Sequence, residues 1–468
     1  MVEAHETAEG VLCVDALTVA IDTTVDEGGR WYTSTSTLEL VCLDLCVAYR
    51  SCWYLPPRKV VVTSDIPRRL WLRGESSGAV RVPALSLRAV VVRAWPKDVL
   101  ARLSEGQRRD ADKQVRGCMK GWLGRLFRVG PSPLSPLWWP DSVKELTFGL
   151  NRYYLNQPIT AVVWSASVQQ LSLGWEFNQS IAGVVWPASL QQLSFEYWFN
   201  QPIAGVMWPA SLQQLSFGSC FNQPIAGVVW PASLQQLSFG SDFNQAIAGA
   251  VWPASLHELS FGHNFNQPIA GVTWPTSLQQ LSFGGSFNQP IARVVWPASL
   301  QQLSFRNWFN QPISGVVWPA SLQQLSFGSG FNQAVAGVVW PASLQQLSFG
   351  YCFSQPIAGV VWPTSLHQLS FGYCFNQPIS GAVWSASLHE LTFGYSFNQP
   401  IAGVVWPASL QQLSFGYCFS QPITAVVWPA SLQQVSFGKW FSQPMAGVVW
   451  PASLQQLSFG DKIVIPLS

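Results

Sequence analysis

The chain has 468 residues, of which 48% are hydrophobic and only 10% charged, with a formal net charge of +2. Polar residues and prolines interrupt every apolar stretch before it reaches the ~18–20 residues of a membrane-spanning helix. The opening MVEAHETAEG is acidic and lacks the basic start and apolar core of a secretory signal. We therefore expect an intracellular, cytoplasmic protein.

Residues 1–49 form an acidic N-terminal segment, with one arginine against nine aspartates and glutamates. Cys42 and Cys46 lie near its end and Cys52 follows shortly after, but His5 is the one histidine in this part of the sequence. A zinc site needs a fourth ligand and tighter spacing. We interpret the three cysteines as buried thiols, and we expect neither a metal site nor another cofactor.

Residues 50–130 form a basic region, with 18 lysines and arginines against six acidic residues. Short runs between 56 and 95, such as KVVV and LSLRAVVVRAW, are rich in β-branched residues and are separated by proline and glycine. They predict either degenerate coils of the repeat that follows or a small β region. A proline-rich join at 131–138 ends this part of the chain.

Residues 97–128 predict a basic amphipathic helix, because Met119, Trp122, Leu123 and Leu126 fall on one helical face. The N-terminal region is therefore expected to be mixed α/β. We interpret the helix as a cap over the first coil of the repeat region, whose open edge needs covering. An alternative is that the helix contacts an anionic membrane surface.

A repeat occupies 139–460 and is followed by a C-terminal tail, 461–468. Tryptophan recurs every 22 residues from Trp164 to Trp450. A fixed period in this range indicates a solenoid, in which each coil buries its apolar face against its neighbours. The sequence predicts a mainly β protein, a parallel β solenoid of about 14–15 coils.

Within one repeat, SLQQLSF alternates apolar and polar residues at its end, as a half-buried strand does. Gly218 follows this strand and is expected to supply a turn with positive φ. Pro209 and Pro224 exclude a helix across the rest of the coil. Stacked copies place identical polar side chains above one another, so the recurring Asn, Gln and Ser residues are predicted to be scaffold ladders.

The stretch LSFGSCFNQPIAGVVWPASLQQLSFG resembles the FNIP repeat, a 22-residue relative of the leucine-rich repeats. The resemblance implies a leucine-rich-repeat-like solenoid with a role in protein interaction and no catalytic residues. Where the family has Ile before Pro, this chain has Trp, as at Trp208; the alignment implies that this side chain points into the core. It also implies that Val229 and its copies point outward. Many members carry an F-box before the repeats, and LELVCLDLCVAYRSCWYLP echoes one only faintly.

Two residues between the Gly and Phe of each coil do not follow the repeat. In a leucine-rich-repeat geometry this variable pair leaves the strand on the concave side or its rim. The pairs are either tolerant turn positions or a recognition surface, for which aromatic residues and arginine are typical anchors. Candidate partner-binding residues, including two that replace the glycine before a pair, are Trp198, Trp308, Trp440, Tyr351, Tyr373, Tyr395, Tyr417, Glu196 and Arg306.

These patterns favour a non-enzymatic scaffold that presents a repeat-built surface to a protein partner. An alternative is a structural protein that self-associates through the outward valines and the exposed edge of its last coil. An F-box-like ubiquitin-ligase adaptor and a glycan-binding module are weaker alternatives. Nucleic acid is not expected at the repeats, because they carry almost no Lys or Arg. His257-Glu258 and His389-Glu390 are six coils apart and cannot form one catalytic site.

The repeat cysteines recur at one position of the variable pair, at Cys220, Cys352, Cys374 and Cys418. Adjacent coils would place Cys352 and Cys374 close enough for a disulfide. Because an intracellular protein is expected, we predict free thiols.

Overall fold

The computed structural model describes residues 58–62, 89–90, 143–148, 156, 158–460 and 462–464. The predicted helix at 97–128, the F-box-like segment and the cysteines at 42, 46 and 52 lie outside the described residues. The chain divides into two compact units, Met1–Phe221 and Asn222–Ser468, and each is described by itself.

The first unit contains short parallel strands stacked in sequence order. They are β1 (Arg58–Val62), β2 (Ala89–Val90), β3 (Glu145–Phe148), β4 (Gln170–Leu173), β5 (Gln192–Phe195) and β6 (Gln214–Ser216). Strand β3 pairs with β4, β4 with β5 and β5 with β6, all in parallel. Strand β1 pairs in parallel with β3, and β1 and β2 lie within two of the predicted β-rich runs.

The second unit continues the same pattern with one strand per coil. Its strands are β7 (Gln236–Ser238), β8 (Glu258–Ser260), β9 (Gln280–Ser282), β10 (Gln302–Ser304), β11 (Gln324–Ser326), β12 (Gln346–Ser348), β13 (Gln368–Ser370), β14 (Glu390–Thr392), β15 (Gln412–Ser414), β16 (Gln434–Phe437), β17 (Gln456–Phe459) and β18 (Lys462–Val464). Neighbouring parallel strands align copy with copy, as Leu303 aligns with Leu325. The repeats therefore form the predicted leucine-rich-repeat-like parallel β solenoid.

The last coil differs from the expectation of an exposed edge. Strand β18 turns back and pairs antiparallel with β17, placing Ile463 opposite Ser458. The outer hydrogen-bonding edge of β17 is therefore covered by the chain itself. An uncovered edge strand is a template for pairing with other chains, and in the last repeat coil this edge is occupied by β18.

The core consists of columns of identical apolar side chains. In a typical coil, Leu344, Phe353 and Ile357 are fully buried, and Leu347 and Phe349 are nearly so. Most tryptophans of the interior coils are also buried, as Trp340 is at 7% exposure, and Trp208 is half-buried; this agrees with the inward direction that the alignment implies. Each coil buries these side chains only against the copies above and below it, so no single coil could form a core alone.

Polar ladders connect the coils in the way the sequence predicts. The Oδ1 atom of Asn244 accepts hydrogen bonds from the backbone N–H of Asn266 at 2.9 Å and from Nε2 of Gln267 at 3.0 Å. On the other side of the coil, the Ser299 hydroxyl donates to the Leu278 carbonyl at 2.7 Å. These side chains satisfy backbone groups of the next coil, and their recurrence is explained by structure.

Two glycines that recur in most coils have different roles, and one of these roles was predicted wrongly. Gly218, directly after the strand, does not have a positive φ; a Cβ there would overlap the Glu196 carbonyl oxygen of the preceding coil. The positive φ belongs instead to the glycine of the IAGVV segment, for example 77° at Gly337. The first glycine allows close stacking of coils, and the second allows the left-handed turn.

The distance between equivalent aromatic rings of adjacent coils differs from one column of side chains to another. For one pair of adjacent coils, ring centroids are 4.4 Å apart at Tyr351–Tyr373 and 5.8 Å at Phe349–Phe371. They are 6.0 Å apart at Phe353–Phe375 and 6.2 Å at Trp340–Trp362. The ring spacing in this pair of coils is smallest in the tyrosine column.

Candidate binding surface

Each variable pair lies at the tip of a tight turn directly after the strand. In the coil of Tyr351, the Phe353 N–H donates to the Gly350 carbonyl at 3.3 Å and closes the turn. The Cys374 N–H donates to the Tyr351 carbonyl of the preceding coil at 2.8 Å. Backbone groups hold the turn in place, and for this reason the two side chains can vary without disturbing the frame.

Four of the predicted residues form one continuous ladder on adjacent coils. The ring centroids are 4.4 Å apart for Tyr351–Tyr373, 4.3 Å for Tyr373–Tyr395 and 4.7 Å for Tyr395–Tyr417, with interplanar angles of 10° or less. Tyr351 and Tyr373 are 49% and 37% exposed, and the other two are half-buried. We refer to these four residues as the tyrosine ladder.

Stacking determines which part of each ring the tyrosine ladder presents. Inside the ladder both faces of a ring lie against neighbouring rings, so ring edges and hydroxyls face outward. Burial against these neighbours, together with the Tyr373 phenol, raises the pKa of Tyr351 and of Tyr395. A hydrogen bond to the Tyr373 phenol contributes to both shifts, so the hydroxyls of Tyr351 and Tyr395 already have a partner within the ladder.

Trp440 stands at the C-terminal end of the tyrosine ladder. Its indole packs edge-on against Tyr417, with ring centroids 5.4 Å apart, and it is 59% exposed. Lys439 beside it is also exposed. Trp308 and Arg306, in a coil before the ladder, are both exposed, Trp308 at 66%. The end of the ladder thus offers an open aromatic face as well as ring edges.

The first unit has a smaller aromatic cluster that includes predicted and unpredicted residues. Trp198 packs edge-on against Tyr197, with ring centroids 4.9 Å apart, and Tyr197 stacks on Trp175 at 4.6 Å. Glu196 accepts a hydrogen bond from the Ser172 hydroxyl at 2.9 Å. The sequence analysis did not select Trp175 and Tyr197 as site residues, although both occupy variable pairs in adjacent coils.

The outward face of the strands is polar, and three of the four repeat histidines, His257, His367 and His389, directly precede a strand. His257 and His389 precede different strands, β8 and β14, as the sequence implies. His389 instead lies beside His367 of the adjacent coil, with ring centroids 5.1 Å apart, and Glu390 accepts a hydrogen bond from Gln368 at 3.1 Å. Among the described residues, no group of three or more potential ligands could hold a metal ion.

The outward valines form a second surface of the coils. In the second unit they are about 80% exposed, as Val339 is at 81%, which agrees with the family alignment. The small residues Ala336 and Gly337 beside it are exposed too. Cys352, Cys374 and Cys418 are free. No helix in the described part of the chain is long and apolar enough to cross a membrane.

The repeat itself decides the family. Seven overlapping segments match the FNIP repeat, at 177–220, 199–242, 221–264, 265–307, 309–352, 331–374 and 375–418, and together they cover just over half of the chain. The chain belongs to the FNIP repeat family. Comparison with curated protein sequences gave no match.

Solved structures similar to this FNIP repeat chain include a leucine-rich-repeat protein. CroV588, described as a novel circular leucine-rich-repeat protein, is 44% identical with a TM-score of 0.65, and the match covers 70% of this chain and 48% of that one. The chain thus spans about half the length of CroV588. An internalin from Listeria monocytogenes is 13% identical with a TM-score of 0.42, covering 68% of this chain and 87% of that one. A chain of the Drosophila Toll–Spatzle complex is 11% identical with a TM-score of 0.49, covering 67% and 46%.

Proposed function

We propose that this FNIP repeat protein is a non-enzymatic scaffold and that a protein partner binds along the tyrosine ladder and Trp440. The observation that carries the proposal is the ladder itself. Four tyrosines stack on adjacent coils at turn positions whose backbone is held by main-chain hydrogen bonds alone. The frame does not need these side chains, and rigid, partly exposed aromatic residues are typical interface anchors.

The position of the ladder also supports a binding role. The ladder lies directly after the strand of each coil, which in a leucine-rich-repeat geometry is the concave side or its rim. The concave side of a solenoid is the extended surface on which repeat proteins bind partners. Trp308 and Arg306, together with Trp198 and Glu196 in the first unit, are further candidate contacts of the same kind. An intracellular compartment is part of the proposal, since three unpaired cysteines, one of them exposed, suit a reducing environment.

A glycan ligand fits this surface less well than a protein. Sugars stack on the faces of aromatic rings, but the faces inside the tyrosine ladder are covered by neighbouring tyrosines. Trp440 alone offers an open face at the end of the ladder. An F-box-like adaptor role would require a segment in the N-terminal region, outside the described residues, and nothing in the repeats favours it.

The test compares two variants that each change four exposed residues of the second unit. In one, Tyr351, Tyr373, Tyr395 and Tyr417 are changed to Ser; in the matched control, Val317, Val339, Val361 and Val383 are changed to Ser. Proximity labelling in the native cell identifies partners of the unmodified chain, and direct binding is then measured with purified proteins. The tyrosine variant should lose its partner while the valine variant keeps it. Equal binding by both variants would refute the proposal.

A second candidate function is self-association through the outward valines. An uninterrupted run of eight such valines, from Val295 to Val449, is exposed in the second unit. At about 60 Å² of apolar side chain each, they form a patch near the upper limit for a monomer surface once flanking alanines are included. Sedimentation velocity over a concentration series should show an oligomer that the four-valine variant lacks. A chain that stays monomeric at high concentration would exclude this function.

A further inference from the structure

We infer that the segment recognised by the tyrosine ladder is a proline-rich stretch in the polyproline II conformation. The inference rests on the proposed function and specifies the chemistry of its partner. It follows from three properties of the ladder: the spacing of its rings, the groups it points outward and the absence of charge around it.

The spacing of the ladder matches one kind of extended chain. Successive tyrosines are 4.3–4.7 Å apart, so every second tyrosine is about 9 Å along the axis. Polyproline II has three residues per turn and rises about 3.1 Å per residue, so a straight row of its side chains repeats about every 9.3 Å. A β-strand repeats about every 6.7 Å, and an α-helix about every 5.4 Å. Polyproline II therefore matches the ladder at every second coil, whereas a β-strand comes into register only after three coil steps and an α-helix matches none of the three.

The outward groups of the ladder complement such a segment. Proline lacks an N–H group, so a polyproline II segment presents carbonyl acceptors and has no internal hydrogen bonds. The Tyr373 hydroxyl accepts from Tyr351 and Tyr395 and can donate its own proton to a ligand, as can the indole N–H of Trp440. The open face of Trp440 is an apolar surface on which a proline ring can pack. Aromatic-lined surfaces bind proline-rich segments in this manner because the segment is already extended and loses little entropy.

Charge around the ladder also favours an uncharged segment. Between Arg306 and Lys439, Glu390 is the one residue among Asp, Glu, Lys and Arg in the sequence. Glu390 lies on strand β14 and accepts a hydrogen bond from Gln368 rather than standing in the turn column. A strongly acidic or basic peptide would therefore find almost no opposite charge along the ladder, whereas proline-rich segments need none.

The experiment measures binding of fluorescently labelled peptides to the full chain by polarisation. The probes are a twelve-residue oligoproline and a twelve-residue peptide with proline at every third position and alanine elsewhere. A Gly-Ser peptide of equal length is the control. Saturable binding of at least one proline probe, and none of the Gly-Ser peptide, is expected.

Variants then locate the contact. Tyr373→Phe with Tyr395→Phe keeps the ring stack but removes two hydroxyl donors, and we expect it to weaken peptide binding by about tenfold. Ala342→Ser with Thr364→Ser, at exposed positions of two adjacent coils, serves as the control and should bind normally. Circular dichroism and the thermal midpoint verify that both variants fold. Failure of both proline probes to bind, or equal binding by the tyrosine variant, would overturn the inference.

The proposed function is tested separately by the partner found in the native cell. If that partner depends on the tyrosine ladder but the oligoproline does not displace it, the inference fails and the proposed function stands. If the partner ignores the ladder, the proposed function fails. Displacement of the partner by the oligoproline and by no Gly-Ser peptide supports both.

Discussion

Replacing one asparagine of the polar ladder tests how the coils hold one another. Oδ1 of Asn288 accepts hydrogen bonds from the Asn310 N–H at 2.9 Å and from Nε2 of Gln311 at 3.0 Å. Asn288→Ala removes both and leaves the backbone donor of Asn310 without its partner. Asn288→Ser is the matched variant, because serine naturally occupies this column at Ser420, whose Oγ accepts from the Ser442 N–H at 3.2 Å.

The magnitude follows from the number of bonds lost and from their exposure. Two hydrogen bonds contribute about 1–3 kcal/mol in total, and the lower half of this range applies here because the Asn310 amide lies near the surface. We expect Asn288→Ala to lower the free energy of unfolding by about 1–2 kcal/mol and Asn288→Ser to lower it by roughly half as much. Serine keeps the acceptor for the backbone N–H but reaches it at a longer distance.

The assay combines urea unfolding with native-state hydrogen exchange. Long repeat arrays do not unfold in one cooperative step, so the exchange rate of the Asn310 amide reports the local effect directly. Its protection should fall strongly in Asn288→Ala and modestly in Asn288→Ser, while amides several coils away are unchanged. Unaltered protection of Asn310 in Asn288→Ala would refute the reasoning that these asparagines hold the next coil.

Three further predictions concern the core, the close stacking and the tyrosine ladder. Phe353→Ala, in a fully buried column, should destabilise the second unit by about 3–5 kcal/mol in urea unfolding; a loss below 1 kcal/mol would contradict the packing. Gly350→Ala should lower the thermal midpoint, since its Cβ would overlap the Gly328 carbonyl, and an unchanged midpoint would argue against this close approach. Because the pKa values of Tyr351 and Tyr395 are raised in the fold, the stability they contribute is present below the normal tyrosine pKa of 10.0 and is lost as pH rises through the folded values. Tyrosinate absorbance of the folded chain should therefore appear at higher pH than in the same chain unfolded in urea, and identical titrations would contradict the stacked ladder.

The sequence predicted the frame well because every coil repeats the same constraints. The alternation of apolar and polar residues around Leu215 predicted the strand, and the prolines excluded a helix. The 22-residue period predicted parallel stacking of the coils. The inward tryptophans and outward valines followed from the family alignment and agree with the structure. The roles of individual glycines did not follow, because a turn glycine and a close-contact glycine look the same in one sequence.

The candidate site was only partly predictable. The variable pairs of the sequence include Tyr351 and its copies, which were therefore predicted as candidates. The sequence could not show that their rings stack face to face, with ring edges and hydroxyls directed towards solvent. Trp175 and Tyr197 were missed for the same reason, since their contact depends on side-chain directions in neighbouring coils. Pairing of β18 with β17 was also unexpected, because the short tail carries no repeat.

The amino-acid sequence by itself determined that this chain is a solenoid, since a coil of 22 residues can bury its leucines, phenylalanines and tryptophan only against copies of itself. The tertiary structure alone decided the distance between successive rings of the tyrosine ladder. That spacing depends on how aromatic side chains of different size pack between coils: the tryptophan side is held at 6.2 Å where the tyrosines close to 4.4 Å. A repeat pattern records which side chains are stacked, but their packing sets how far apart they stand.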